Sequence, residues 1–305
     1  MILLTGATGL VGGALLKRLL AGGEDVRCLV RDPRRLGPNR VRVQITMGDL
    51  ANPFAVRQAV RGVETVVHLA ATIRDQPGGS IEELNAVATI RLLREARQAG
   101  AKRFVFFGAV GASETSPARF FRAKALGEQA VLASGLDATV LAPSIVYAPG
   151  DPWLTLLHRL SLLPWMLVSG SGEASYQPIW AEDVAAGAEH VLRNGTTGGG
   201  PGRGVGRGIG RFELAGPETL TYEQIVRLAL DAWERPRPLI HVPLPVVRRT
   251  LRLLESVSGD AAFATWEEAQ LMEIPMTTAK GTADAKALGV EPKPMREVLG
   301  LAPEE

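Results

Sequence analysis

The chain has 305 residues, 46% of them hydrophobic, enough to bury a full core in one large domain or in one domain with a smaller appendage. Its 34 lysines and arginines against 32 aspartates and glutamates leave a net charge of +2, which argues against a global field built for nucleic acid or membrane, so an anionic ligand must be met locally. The single cysteine, Cys28, excludes an intrachain disulfide; within the apolar alternation DVRCLV it reads as a small buried hydrophobe, compatible with a reducing, cytoplasmic setting.

The opening MILLTGATGLVGG lacks a basic leader and runs straight into a glycine motif, so it reads as a first strand and not as a signal peptide. Short apolar strands are expected at residues 2–5, 25–30, 41–45, 65–69, 103–107 and 138–141. Amphipathic helices are expected between them at 10–21, 53–60, 81–98 and 118–133. That alternation is the mark of an α/β chain, a Rossmann-type doubly wound parallel sheet, in a first domain over 1–150.

After Pro149 the rhythm becomes irregular, and residues 151–305 read as a smaller mixed lobe facing the substrate, with a helix at 182–193 packing back on the first domain. The longest apolar run, WLTLLHRLSLLPWMLV, is too short to span a membrane and is broken by His158, Arg159 and Pro164. The stretch 194–211, NGTTGGGPGRGVGRGIGR, reads as a flexible surface loop; with no aromatic residue among its arginines it is taken as a solvated linker and not as an RNA-binding tail. Beyond it, FELAGPETLTYEQIVRLAL gives a strand, a turn and a helix with a Thr221/Gln224 capping box. The helix PVVRRTLRLLESV carries an arginine-rich face; it is expected to pack on the substrate lobe with those arginines in water, the alternative being at most peripheral contact with an anionic membrane surface.

TGATGLVG sets Gly6, Gly9 and Gly12 between a strand and a helix. Gly6 permits a tight turn, Gly9 lets backbone amides approach a pyrophosphate, and Gly12 allows close helix–sheet packing at a helix N-terminus that faces negative charge. Thr8, Leu10 and Val11 share that turn. At the end of the second strand, where an NAD site offers an acid to the ribose hydroxyls, stands Arg31, followed by Arg34 and Arg35. A guanidinium there stacks on adenine and clamps a 2′-phosphate, so NADP(H) is expected over NAD(H), with Asp32 leaving NAD(H) open.

These features resemble the short-chain dehydrogenase/reductase superfamily in its extended and atypical, epimerase-like branches. Further stretches fit in order: GDL with Asp49 and Leu50, which in the family brackets the adenine; HLAA from His68 through Leu69, Ala70 and Ala71, which lines the ribose; Asn85; LAPSIVYAPGD with Pro143, Ser144 and Ile145; and QPIWAEDVA. FxxKALGEQAV, GPETLTYEQIV and the tail TWEEAQLME…LGVEPKPMREVL are most similar to the atypical group that contains the NADPH-binding accessory subunit of respiratory complex I and its bacterial relatives. The resemblance implies a tightly held dinucleotide, with members that are often not demonstrable catalysts, and pairing of two copies through helices 81–98 and 118–133.

In active members a tyrosine and a lysine at i and i+4 share one helix face; the lysine binds the nicotinamide ribose and lowers the phenol pKa while the phenol passes a proton to substrate. Lys124 fits the lysine, but Phe120 takes the tyrosine's place, and Gly108 and Ala109 stand where the family carries serine. The replacements for the lost acid are, in order, Lys124 itself, Tyr147, and the hydroxyls of Ser113, Thr115 and Ser116. No histidine, among His68, His158, His190 and His241, has metal-ligand spacing, so no metal is expected. Two functions remain open: a reductase of a small apolar carbonyl or quinone-like substrate, or a non-catalytic nucleotide-binding protein acting as redox sensor or accessory subunit.

Overall fold

The computed structural model describes residues 1–194, 210–258 and 265–302. In chain order the elements are β1 (Ile2–Thr5), α1 (Leu10–Ala21), β2 (Val26–Val30), β3 (Gln44–Met47), α2 (Pro53–Ala59), β4 (Thr65–His68), α3 (Ala88–Gln98), β5 (Arg103–Phe107), α4 (Arg119–Leu132) and β6 (Asp137–Pro143). There follow β7 (Val146–Tyr147), α5 (Pro152–Leu160), β8 (Met166–Ser169), β9 (Ser175–Tyr176), β10 (Ile179–Trp180), α6 (Ala181–Asn194), β11 (Gly210–Leu214) and β12 (Leu220–Thr221). The chain continues through α7 (Tyr222–Ala232), β13 (Leu239–Val242), α8 (Leu244–Ser258), α9 (Trp266–Leu271), α10 (Ala283–Ala287) and α11 (Met295–Val298).

Seven parallel strands form one sheet in the order β11-β6-β5-β4-β1-β2-β3. This is the expected doubly wound Rossmann-type sheet, with its switch point between β1 and β4. Because neighbouring side chains along a strand point to opposite faces, the strands bury two cores. Leu4, Val67, Val105 and Leu141 pack under α1 and α6, while Leu3, Val66, Phe104, Phe106 and Val140 pack under α2, α3 and α4.

Beyond shifts of one or two residues at element ends, three features differ from the sequence reading. The third strand starts at Gln44 and not at Val41, because Asp32 caps a 3-10 segment, Pro33–Val41, that runs to Val41 and leaves that side chain 82% exposed. Helix 81–98 is interrupted by a π-helical turn, Glu83–Val87, around the buried Asn85. Of the supposed loop 194–211, residues 195–209 lie outside the described residues, but Gly210 and Arg211 open β11, which pairs with β6 and completes the central sheet from beyond residue 150. Alternation of Phe212 and Leu214 onto the buried core explains why this strand belongs there.

The second lobe is built on three two-stranded pairs, β7 with β10, β9 with β12 and β8 with β13, around a core of Tyr147, Leu157, Met166, Tyr176, Ile225 and Met295.

Candidate functional site

The carboxyl ends of β1, β2 and β4 open onto a cleft of about 280 Å³ lined by Gly6, Thr8, Gly9, Arg31, Asp49, Leu50, Leu69, Ala70 and Ala71, together with Arg35, Thr72, Gln76 and Leu84. Two glycines make the turn possible. Gly6 has φ +76°, and a Cβ there would lie 2.6 Å from the Ala70 amide nitrogen; a Cβ on Gly12 would lie 2.1 Å from the Gly6 carbonyl oxygen. Gly9 caps α1 without a side chain, so the first amides of the helix, at Leu10 and Val11, have no intrahelical acceptor and no capping oxygen. A cradle that any Cβ would fill, ending in bare amides, fits the pyrophosphate of a dinucleotide.

At the adenosine end the arginines separate. Arg31 lies across the cleft mouth, donating to the Gln76 side chain (2.8 Å) with Asp49 at 3.9 Å, and Arg35 joins the lining. Arg34 does not: it folds back onto Asp32 in a two-point ion pair (3.0 and 3.2 Å) and stays outside the lining, contrary to the sequence expectation. The reason is local, since Asp32 already accepts the Arg34 amide as a cap, and these bonds hold the exposed Asp32 carboxyl below the usual range. No side chain of Asp32 lines the cleft. Gln76 and Thr72, which close this end, carry no motif in the sequence; they are placed by the loop after β4.

Outside that lining, where β5 ends, Lys124 is 3% exposed. Its Nζ donates to the Phe107 carbonyl at the end of β5 (2.7 Å) and lies 4.9 Å from the centre of the Phe106 ring and 5.7 Å from that of Phe120. Burial lowers its pKa to about 7, against the opposing pull of Glu128. Behind it His68 is fully buried. The Thr89 hydroxyl donates to the Asn85 carbonyl (2.6 Å), so its oxygen accepts from His68 Nε2 (2.9 Å), which leaves Nδ1 to accept the Thr5 hydroxyl (2.7 Å). Burial first, and the Lys124 charge second, push this neutral imidazole down to about 3.

Gly108, standing where the resemblance implies a serine, has a structural counterpart. A Cβ on Gly108 would lie 2.9 Å from Glu128 Oε2 and 3.1 Å from Val140 Cγ1. Glu128 stands one turn beyond Lys124, its Oε1 held by Arg211 of β11, and its buried Oε2 has no hydrogen-bond partner. The carboxylate thus fills the room that the glycine leaves. Nothing in the sequence links residues 108, 128 and 211, which only the pairing of β11 with β6 brings together.

The remaining candidates are not gathered around the lysine. Tyr147 is a core residue of the second lobe, packed with Leu154 and Tyr176; its hydroxyl has no partner, and burial raises its pKa far above the ordinary phenol value, so it is not a proton donor at the site. Ser113 and Thr115 bond each other (3.0 Å), and Ser116 accepts the Ala118 amide. Pro143 receives the Val110 amide at its carbonyl. Ser144 donates to the Met276 carbonyl (2.6 Å), which ties the C-terminal segment down, and Ile145 packs in the second-lobe core. Beside Phe120 lies an apolar wall of Ala109, Ala112, Phe121, Leu271, Met272 and Ile274.

Residues 6–152 match a family of NAD(P)H-binding domains. The chain is 34% identical over 182 residues to sterol demethylase protein B of Methylococcus capsulatus, covering 52% of this chain and 56% of that protein. It is 26% identical over 258 residues to the mitochondrial NADH dehydrogenase (ubiquinone) 1 alpha subcomplex subunit 9 of Arabidopsis thaliana, covering 80% of this chain and 60% of that one. The matches therefore span less than two thirds of the length of these curated relatives. An NADPH-dependent quinone oxidoreductase of Escherichia coli, solved with NADPH, shares the fold with a TM-score of 0.72 at 18% identity, covering 98% of each chain. Among the described residues no helix is long and apolar enough to cross a membrane.

Proposed function

We propose, for a chain that belongs with the NAD(P)-binding short-chain dehydrogenase/reductases of the epimerase-like kind, that it is an NADP(H)-dependent oxidoreductase of a small apolar carbonyl or quinone-like molecule. Lys124 carries this reading: a buried ammonium whose pKa burial lowers toward neutrality, held at the end of β5 beside the apolar cluster around Phe120. The bound dinucleotide supplies a hydride. Gly6, Thr8, Gly9 and the first turn of α1 hold its pyrophosphate, Asp49 and Leu50 bracket the adenine, and Leu69 to Ala71 line the ribose. Arg31 and Arg35 meet a 2′-phosphate, and with Asp32 engaged by Arg34 no carboxylate at the end of β2 repels it. Lys124 would hold a proton at Nζ for the oxygen of the substrate carbonyl.

The apolar side chains packed around Phe120 support an apolar substrate, since Phe120, Leu271 and Met272 carry no side-chain hydrogen-bonding group for a sugar or a phosphate. The test is loss of NADPH absorbance against a panel of quinones, aldehydes and ketones. Lys124→Met should slow turnover by ~10²–10⁴-fold. If no acceptor oxidises NADPH, this reading is lost.

A second reading is favoured by one observation: Lys124 Nζ already donates to Phe107 and is covered by two phenyl rings, with no hydroxyl beside it. On that reading the chain is a non-catalytic nucleotide-binding protein, a redox sensor or accessory subunit. It would copurify with a dinucleotide that raises its melting temperature and is never turned over.

A further inference from the structure

Five of the chain's 34 basic residues, Arg235, Arg237, Arg248, Arg249 and Arg252, fall between 235 and 252 with no acidic residue among them, so the rest of the chain is net acidic. This basic segment coincides with large apolar side chains left in water. Leu167 and Ile240 are register partners on β8 and β13, so they share one face of that ribbon, and both are exposed. Arg237 clamps the loop ahead of β8 by donating to the Ser161 and Leu163 carbonyls (3.1 and 2.9 Å), and that loop presents Leu162 and Trp165.

One residue after β13, α8 begins. None of its residues 244–253 is buried. Leu244, Val247 and Leu251 are half-buried on the side that meets α9, whereas Val246 (50% exposed) and Leu253 (68% exposed) face outward with Arg249 and Arg252. Neither of those two arginines makes an ion pair among the described residues.

We propose that this face, α8 with the β8–β13 ribbon and its leading loop, docks on an anionic lipid bilayer. Isolated aliphatic side chains and a tryptophan enter the boundary between headgroups and acyl chains, while arginines beside them meet lipid phosphates. A protein partner of ordinary polarity would want a contiguous apolar centre with charge kept to the rim, and here arginines interleave with the apolar residues. The face adjoins the site. α8 packs on α9, and α9 contributes Leu271 to the wall beside Phe120 while Glu268 and Glu267 pair with Arg74 and Arg119. That an apolar substrate reaches the wall from the bilayer rests on the proposed oxidoreductase reading; docking itself does not.

The test is co-sedimentation of the full chain with vesicles of phosphatidylcholine alone and of phosphatidylcholine mixed with phosphatidylglycerol. Binding should favour the mixed vesicles by at least ~10-fold and weaken with salt. Arg249→Glu with Arg252→Glu, and separately Trp165→Gln with Val246→Gln, should each lower binding by ~10-fold while the melting temperature and dinucleotide binding hold. Absence of binding to mixed vesicles, or binding indifferent to both double variants, overturns the proposal. So does a dimer in light scattering that Val246→Gln dissociates, because a second copy then covers the face. Vesicle binding together with inertness toward every acceptor sinks the catalytic reading alone.

Discussion

The dinucleotide cleft and the surroundings of Lys124 follow different rules. The pyrophosphate end is made of backbone: two glycines without room for a Cβ, bare helix amides and an open polar lining. The surroundings of Lys124 are made of side chains, buried and apolar, with Phe120, Gly108 and Ala109 where the sequence resemblance implies hydroxyls. Binding and proton transfer are therefore separable in this fold, since one can be kept by geometry while the other is rebuilt around a single ammonium.

The largest break is at the backbone end. In Gly12→Val the new Cβ meets the Gly6 carbonyl at 2.1 Å, and neither partner is a movable side chain. Dinucleotide affinity should fall by ~10³-fold, about 4 kcal/mol. Titration calorimetry checks this, and unchanged affinity would remove the glycine turn from the site.

The surroundings of Lys124 show themselves in pH. His68 has a folded pKa of about 3 against an ordinary 6.5, so the unfolded chain takes the proton first and stability falls as pH drops through that window. Lys124, at about 7 against 10.5, is protonated in the unfolded chain and neutral in the folded one between those values, so stability rises with pH there. Each limb should have a slope of about 1.4 kcal/mol per pH unit. Denaturant unfolding across pH measures both, and Lys124→Met should flatten the alkaline limb and, by removing the second cause of the His68 shift, shorten the acid limb; an alkaline limb that persists in the variant would mean that Lys124 is not its source.

A smaller effect sharpens the adenosine end. Arg31→Asp or Arg35→Ala should weaken NADPH by about 10-fold and leave NADH nearly untouched, as loss of one charge-assisted phosphate contact implies. Arg34→Ala should change neither, because Arg34 is occupied with Asp32. If Arg34→Ala matches Arg35→Ala, the separation of the two arginines is wrong.

These differences follow the range of the interactions. The glycine turn, β1, α1, β5 and the Phe120/Lys124 pair are legible because their signals are local, set by spacing along one turn or one helix. Arg34 against Arg35 was not, since a cap two residues away decides it. Tyr147 ranked second among the replacements for the lost acid, yet β7 turns it into the second-lobe core through pairing with β10. Arg211 read as part of a glycine-rich loop, and only strand pairing across the chain makes it the partner of Glu128.

That pairing governs the smallest predicted effect, in Phe120→Tyr. The new hydroxyl would share a helix face with Lys124, and a site lacking only its tyrosine should recover much of the ~10²–10⁴-fold that general acid catalysis supplies. Here the serine position is not merely empty. Glu128, anchored by Arg211, occupies it, so a hydroxyl at 108 cannot be added without moving a buried carboxylate. Phe120→Tyr alone should therefore change NADPH oxidation by no more than ~3-fold, and adding Gly108→Ser should lower the melting temperature through the clash. Combining both with Glu128→Ala should raise turnover beyond Phe120→Tyr by ~10²-fold. Steady-state rates of the three variants decide the matter: robust turnover from Phe120→Tyr alone would make the two lost hydroxyls independent changes, whereas recovery that waits for Glu128→Ala ties the tyrosine, the serine and the buried carboxylate into one.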